Sequence, residues 1–280
     1  MNLAIIGHAR SGTTVLQNAI NTAGGAYVLG EANIYRNANE PGFRQRYNAM
    51  HRDYGNQPSK STYAPALPAP HADASGADYL AALSRLYPVV GDKLALGHPR
   101  FGHDVDAIKA WIESTRAHCL FVFRHPASVL TSSASMFGSQ IPFSYHVASY
   151  ALTVGLYLDA LRVLPNVRCV VHEKITKRTL LDLGGWLDLD ISEAFELYDP
   201  PRTQAPAWAA EAQPYAADLE ALYSGVMALA AAKRADPKFQ LEQKITASGR
   251  SLPIGDLWRL AKSVAERAEL EAAPSDGGPA

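Results

Sequence analysis

The sequence predicts an α/β fold of three layers, αβα, built around a central parallel sheet. Two observations predict it. Short apolar runs of strand length alternate with longer stretches of helical period, and that alternation puts crossover helices on both faces of a parallel sheet. A glycine-rich turn also follows the first apolar run directly, as in folds that hold an anion on the amides at a helix start. The 280 residues can bury one large core, so one domain is expected over residues 1–271, with 272–280 as a flexible tail.

Taken in order, Leu3 to Gly7 reads as a buried strand, followed by a loop and a helix from about 14 to 23 whose apolar face carries Val15, Leu16, Ala19 and Ile20. A short strand at Tyr27 to Leu29 ends in a loop holding Glu31. Residues 36–78 read as a loop. Within them, 55–78 places Pro58, Pro65, Pro68 and Pro70 among Ala and Ser, which sustains neither a helix nor an inner strand. A loop that long is a lid, a binding loop or a disordered segment. A helix near Ala77 to Leu86 comes next, then the runs Val89 to Lys93 and Leu94 to Leu96. A helix from Val105 to Ser114 leads into a strand at Cys119 to Phe123. Further helices span Ala127 to Phe137 and residues 144 to 163, and Val167 to Val171 is a later strand. The chain turns Pro- and Ala-rich between Asp199 and Pro214, before a helix from Ala216 to Arg234.

Composition removes several function classes. Lys plus Arg total 26 against 27 acidic residues, with no long run of either sign, so the basic signature of a nucleic-acid binder is missing. The two cysteines, Cys119 and Cys169, each lie in a strand-like run and suit buried thiols better than a disulfide framework. Of the nine histidines, His98 and His103 are the nearest pair, and no Cys or acidic neighbour completes a zinc pattern. No targeting or spanning segment precedes the first strand, so a cytoplasmic protein with no membrane span is expected.

The chemistry is concentrated in Gly7-His-Ala-Arg10-Ser11-Gly12-Thr13-Thr14. Gly7 and Gly12 stand at the spacing of a phosphate-cradling P-loop, yet Thr13 occupies the place of its lysine and the nearest permanent cation is Arg10. Without that lysine a central part of the phosphoryl-transfer apparatus is missing. The loop calls for a phosphate, but not that of ATP.

Arg-Ser-Gly-Thr-Thr before an apolar helix face resembles the 5′-phosphosulfate loop of sulfotransferases that use 3′-phosphoadenosine-5′-phosphosulfate (PAPS). A second signature joins it. The strand ending at Phe123 is followed by Arg124-His125-Pro126, with Ser132 eight residues after Arg124. In that family an Arg and a Ser at this separation grip the 3′-phosphate. The resemblance therefore implies a P-loop NTPase-like sulfotransferase fold. It also implies a donor site of Arg10, Ser11, Gly12, Thr13, Thr14, Arg124 and Ser132, with 3′,5′-ADP as product and no metal. The motifs are closest to the carbohydrate and protein-tyrosine branches, of bacterial type. His125 stands where many members carry Asp, and Gly249-Arg250-Ser251 is a loose match to a C-terminal loop on the 3′-phosphate.

Sulfuryl transfer needs donors at the leaving oxygen and a base at the attacking hydroxyl. Arg10 and the loop supply the first. For the base there are two candidates. Glu31, in Leu-Gly-Glu 21 residues after Arg10, has an offset comparable to the catalytic Glu of the tyrosine branch; otherwise it is a surface carboxylate or one paired with Arg36. His98 follows Leu94 to Leu96, as a catalytic His follows a strand in the phenol and steroid branch, and Lys93 resembles the lysine of a carbohydrate-branch motif. The expected acceptor is a hydroxyl of a carbohydrate or glycoconjugate, such as a capsule or lipopolysaccharide precursor. Two other functions fit part of the pattern: a small-molecule kinase with a degenerate loop, and a non-catalytic module that binds 3′,5′-ADP.

Overall fold

In the computed structural model the described residues are 1–53, 73–98, 104–138, 141–195, 207–235, 245–247, 250–252 and 254–272. Five strands form an all-parallel sheet: β1 (Asn2–His8), β2 (Ala26–Gly30), β3 (Val89–Leu96), β4 (His118–Phe123) and β5 (Val167–Val171). Their spatial order is β2-β3-β1-β4-β5. The expected α/β class and parallel sheet with helices on both faces are thus what the chain adopts.

Period-two alternation explains why these runs are inner strands. Leu3 and Ile5 of β1, with Leu120 and Val122 of β4, pack against Leu16 and Ile20 of α1 (Thr13–Thr22) and Leu180 and Leu183 of α8 (Lys177–Leu187). Ala4, Ile6, Phe121 and Phe123 point the other way. They meet α6 (Pro126–Phe137) and the 21-residue α7 (Phe143–Val163), where Tyr157 stands 5.2 Å from Phe121 and 5.5 Å from Phe123 between ring centroids. Both faces are therefore apolar, which is why these strands read as continuous hydrophobic runs. β3 is buried over its whole length between β2 and β1. Gly91 lies opposite Leu3, and a Cβ there would overlap the Leu3 carbonyl.

Several expectations are corrected. Residues 36–78 are not loop throughout: after α2 (Ile34–Asn37) comes α3 (Phe43–Asp53), ahead of α4 (Gly76–Ser84). Phe43 and Tyr47 are the buried aromatics among the described side chains of α3. Phe43 stacks on Tyr47 at 5.7 Å and meets Tyr79 of α4 at 5.4 Å. With charged and polar residues between them, no apolar stripe shows in the sequence. The stretch 199–214 likewise contains part of a 3₁₀ turn, Ala210–Tyr215. Beyond α9 (Ala216–Ala235) and a small antiparallel hairpin, β6 (Ile245–Ala247) and β7 (Arg250–Leu252), runs α10 (Ile254–Ala272). Sequence reading assigned α10 no element, and its buried face holds Ile254, Leu257, Ala261, Val264, Ala265 and Ala268. The remaining helix, α5 (Val105–Thr115), lies where expected. The proline-rich segment from 54 to 72 and the tail from 273 lie outside the described residues.

Cys119 is buried and free, and burial pushes its thiol up to about 12. Cys169 is also free. Among the described residues no helix is long and apolar enough to cross a membrane.

Candidate functional site

The order β2-β3-β1-β4-β5 sends the chain to one side of β1 first and to the other afterwards, so the crevice between the carboxyl ends of β1 and β4 is a topological switch point, where parallel sheets bind ligands. The loop at the end of β1 occupies it. Arg10 (φ 73°) and Gly12 (φ 98°) are both left-handed, the backbone conformation of an anion-binding nest, which leaves the amides from Gly12 onward for a ligand while Ser11 N donates to His8 O at 3.0 Å. Ala9 N donates to Leu96 O at 2.6 Å and Ser133 Oγ of α6 donates to Ala9 O at 3.3 Å, tying the loop to both neighbours. α1 then starts with no side-chain cap and no acidic residue in its first turn. Its N-terminal amides and positive dipole end are thus offered to a ligand.

Gly12 is required twice over. Its φ suits glycine, and a Cβ would overlap the ring of His172, in the 3₁₀ turn His172–Lys174 that follows β5. Burial first, and then Arg124, holds the His172 imidazole below its ordinary value. Thr13 is buried and Thr14 exposed. His8 lies beneath the loop, donating from Nδ1 to Ala9 O at 2.7 Å, and burial lowers its pKa to about 4. It shapes the cradle as a neutral ring.

The second half-site sits at the end of β4. Tyr150 Oη donates to Arg124 O at 3.2 Å, while Glu173 Oε1 stands 3.8 Å from Arg124 Nε and accepts from His125 N at 2.8 Å. Tyr223 Oη of α9 donates to the other Glu173 oxygen at 3.2 Å. His125 caps α6, accepting from Ala127 N at 3.3 Å, and its Nε2 pairs with Glu220 at 3.1 Å. His125 is therefore the cap of the helix that follows Arg124. Arg10 Nε donates to Ser132 Oγ at 3.0 Å, so the loop and the 124–132 motif, 122 residues apart in that contact, form one site.

Two buried donors in this site lack a hydrogen-bond partner: Ser11 Oγ on the loop and Arg124 Nε on the β4 end. Such groups are costly unless a ligand or water satisfies them. Both suit a phosphate oxygen, so the cradle fits an anionic donor.

Glu31 lies one strand away on the other side. It takes φ 55° just past β2, and its carboxylate returns to β3, pairing with Lys93 Nζ and accepting from Ala95 N at 3.2 Å. Ala95 is opposite Gly7, the first residue of the loop motif. Glu31 is thus not a surface carboxylate, nor is Arg36 the partner in its ion pair: the side chain is 15% exposed and Lys93 only 5%. His98 stands past the end of β3, its ring 4.7 Å from Phe137 of α6. His103 and the Gly249 of the C-terminal match lie outside the described residues. Sequence reasoning did not assign the contacts of His172 and Glu173, because a turn 48 residues beyond Arg124 reaches the site only through strand order.

A cleft of about 960 Å³ runs outside β5, between α8 and α9, with Lys174 at its rim and Arg168 lying 5.4 Å over the Trp186 ring. Neither family models nor curated protein sequences give a match to this chain.

Proposed function

We propose that the protein is a sulfotransferase that moves a sulfuryl group from PAPS to a hydroxyl of a carbohydrate or glycoconjugate. One observation carries this reading: two buried donors without a hydrogen bond, Ser11 Oγ and Arg124 Nε, lie in half-sites joined by the Arg10–Ser132 hydrogen bond. A donor with phosphates at both the 5′ and 3′ positions calls for such a pair. In the reaction the acceptor oxygen bonds to sulfur as the bond from sulfur to the bridging oxygen breaks. The electron pair leaves on the phosphate of 3′,5′-ADP, where Arg10 and the amides of residues 12–14 meet the charge. Glu31 takes the acceptor proton. The form of the loop and the Gly-Glu after β2 favour a carbohydrate acceptor. A cytoplasmic location belongs to the same proposal.

Calorimetric titration with 3′,5′-ADP, 5′-AMP and ATP, followed by a sulfate-transfer assay on saccharide acceptors, tests the reading. 3′,5′-ADP should bind much more tightly than the other two, and Arg124→Ala should remove a few kcal/mol of that binding, as for a lost charge-assisted pair. Equal affinity for ATP overturns it. Tight 3′,5′-ADP binding without transfer leaves a binding module.

Turnover should also survive excess EDTA, since cationic and amide donors stabilise the leaving phosphate and the donor has no γ-phosphate to clamp. Loss on chelation that Mg²⁺ restores would identify a kinase.

A further inference from the structure

Asp92 is a carboxylate with no role in the reaction as described, yet it lies fully buried inside a sheet strand. Its two oxygens accept from Ala32 N at 2.9 Å and Ile34 N at 3.0 Å. Both donors belong to the turn that leaves β2, in which Glu31 (φ 55°) and Asn33 (φ 52°) are left-handed. Two such non-glycine residues in three positions are costly and persist only where the surroundings hold them. Ala32 and Ile34 are themselves buried, so removing Asp92 takes an acceptor from each amide away from bulk water, at a further cost.

That turn aims Glu31. Its left-handed backbone folds the side chain back over β3, where Lys93, the neighbour of Asp92, and Ala95 N receive it. We infer that Asp92 is the positioning residue of the site: by gripping the amides on both sides of Asn33 it fixes the Glu31 carboxylate at the β3 end, beside the phosphate loop. This rests on Glu31 being the proton acceptor, and it extends that reading from the residue to what holds it in place.

Burial raises the Asp92 carboxyl to about 7, against the pull of the two amides. The groups facing it are Glu31, Lys93, Tyr35 of α2 and Tyr47 of α3. The proton on Asp92 is bound more tightly in the folded chain than in the unfolded one. Its contribution to stability is therefore full below the ordinary carboxylate range and is lost as pH rises through about 7. Ionisation nonetheless strengthens its grip on the two amides, so the turn tightens over the pH range in which the whole fold loses stability.

Amide hydrogen exchange by NMR reads the placement without any assay of activity, because Ala95 N–H donates to Glu31 and reports where that carboxylate is. In Asp92→Asn, protection at Ala32, Ile34 and Ala95 should fall at least tenfold while Ile6 and Phe121 in the core keep theirs. In the unmodified chain, the amide shifts of Ala32 and Ile34 should titrate near pH 7, with Ala95 following them. This second measurement stands even where the variant does not fold. Unchanged Ala95 protection in the variant, or titration of Ala32 and Ile34 that Ala95 does not follow, overturns the inference.

Turnover adds a readout that a purely structural role would not move. Asp92→Asn should lower kcat by 10- to 100-fold with 3′,5′-ADP affinity within twofold, but less than twofold when added to Glu31→Gln. Equal effects in both backgrounds would mean that Asp92 does not act through Glu31. If the unmodified protein transfers no sulfuryl group, the proposed function fails and the exchange data alone decide the role of Asp92.

Discussion

Gly12→Ala is expected to lower 3′,5′-ADP affinity by about 100-fold or more while leaving the sheet folded. Three effects add. An L-residue in the left-handed region costs roughly 1–2 kcal/mol; the new methyl group overlaps the His172 ring; and relief of that overlap must move either the ring or the loop. The loop is the weaker party, since His172 is anchored at the end of β5, whereas residues 10–12 are held mainly by Ala9 N on Leu96 O, Ser133 Oγ on Ala9 O and Arg10 on Ser132. A shift of the nest takes Ser11 Oγ and the first amides of α1 out of convergence. Calorimetry reads the affinity, and the thermal midpoint separates a local from a global change. Full affinity in Gly12→Ala would mean that the phosphates do not bind on this nest. Thr14→Ala, at an exposed position, should cost much less.

The limits of what the sequence discloses follow from the range over which each signal acts. β1 and β4 are legible because both of their faces are buried, so apolar residues crowd each run, and the edge strand β5, half-buried at Arg168 and Cys169, is legible from Val167, Val170 and Val171. The nest is legible because its glycines and its helix lie within fourteen residues, and Arg124 with Ser132 because both belong to one strand–helix turn. α3 offers two buried aromatics among charged and polar residues, whereas α10 spaces Ile254, Leu257, Ala261, Val264, Ala265 and Ala268 as one helix face and is legible on that spacing. The clamp of Glu173 on Arg124 and His125 and the pair of Glu31 with Lys93 are tertiary facts: they depend on β5 lying next to β4 and β2 next to β3. Asp92 did leave a local signal. A charged pair in the middle of an apolar strand run is unstable unless each member has a partner, and here both partners come from one turn.

Glu31→Gln is expected to lower sulfuryl turnover by roughly 100-fold or more with donor binding nearly unchanged, because the amide keeps the size and the acceptor oxygen for Ala95 N but cannot take a proton. The structure adds a complication. Lys93 is 5% exposed, and removing the charge of its partner leaves a buried cation unpaired, at a cost of up to about 3 kcal/mol given that Glu31 retains some contact with water. A fall in turnover could therefore reflect a disordered site rather than a missing base. The double variant Glu31→Gln with Lys93→Gln separates the two. It removes both charges together, so the thermal midpoint should recover toward that of the unmodified chain while turnover stays low. Recovery of turnover along with stability would reduce Glu31 to a structural partner of Lys93. His98→Asn supplies the competing outcome. If His98 is the base, that variant is inactive, and the unmodified enzyme shows an acid limb at about pH 6 to 7, where an ordinary imidazole takes up its proton. If Glu31 is the base, His98→Asn retains most turnover and loses at most acceptor affinity, as suits a ring lodged against Phe137 at the rim of the site.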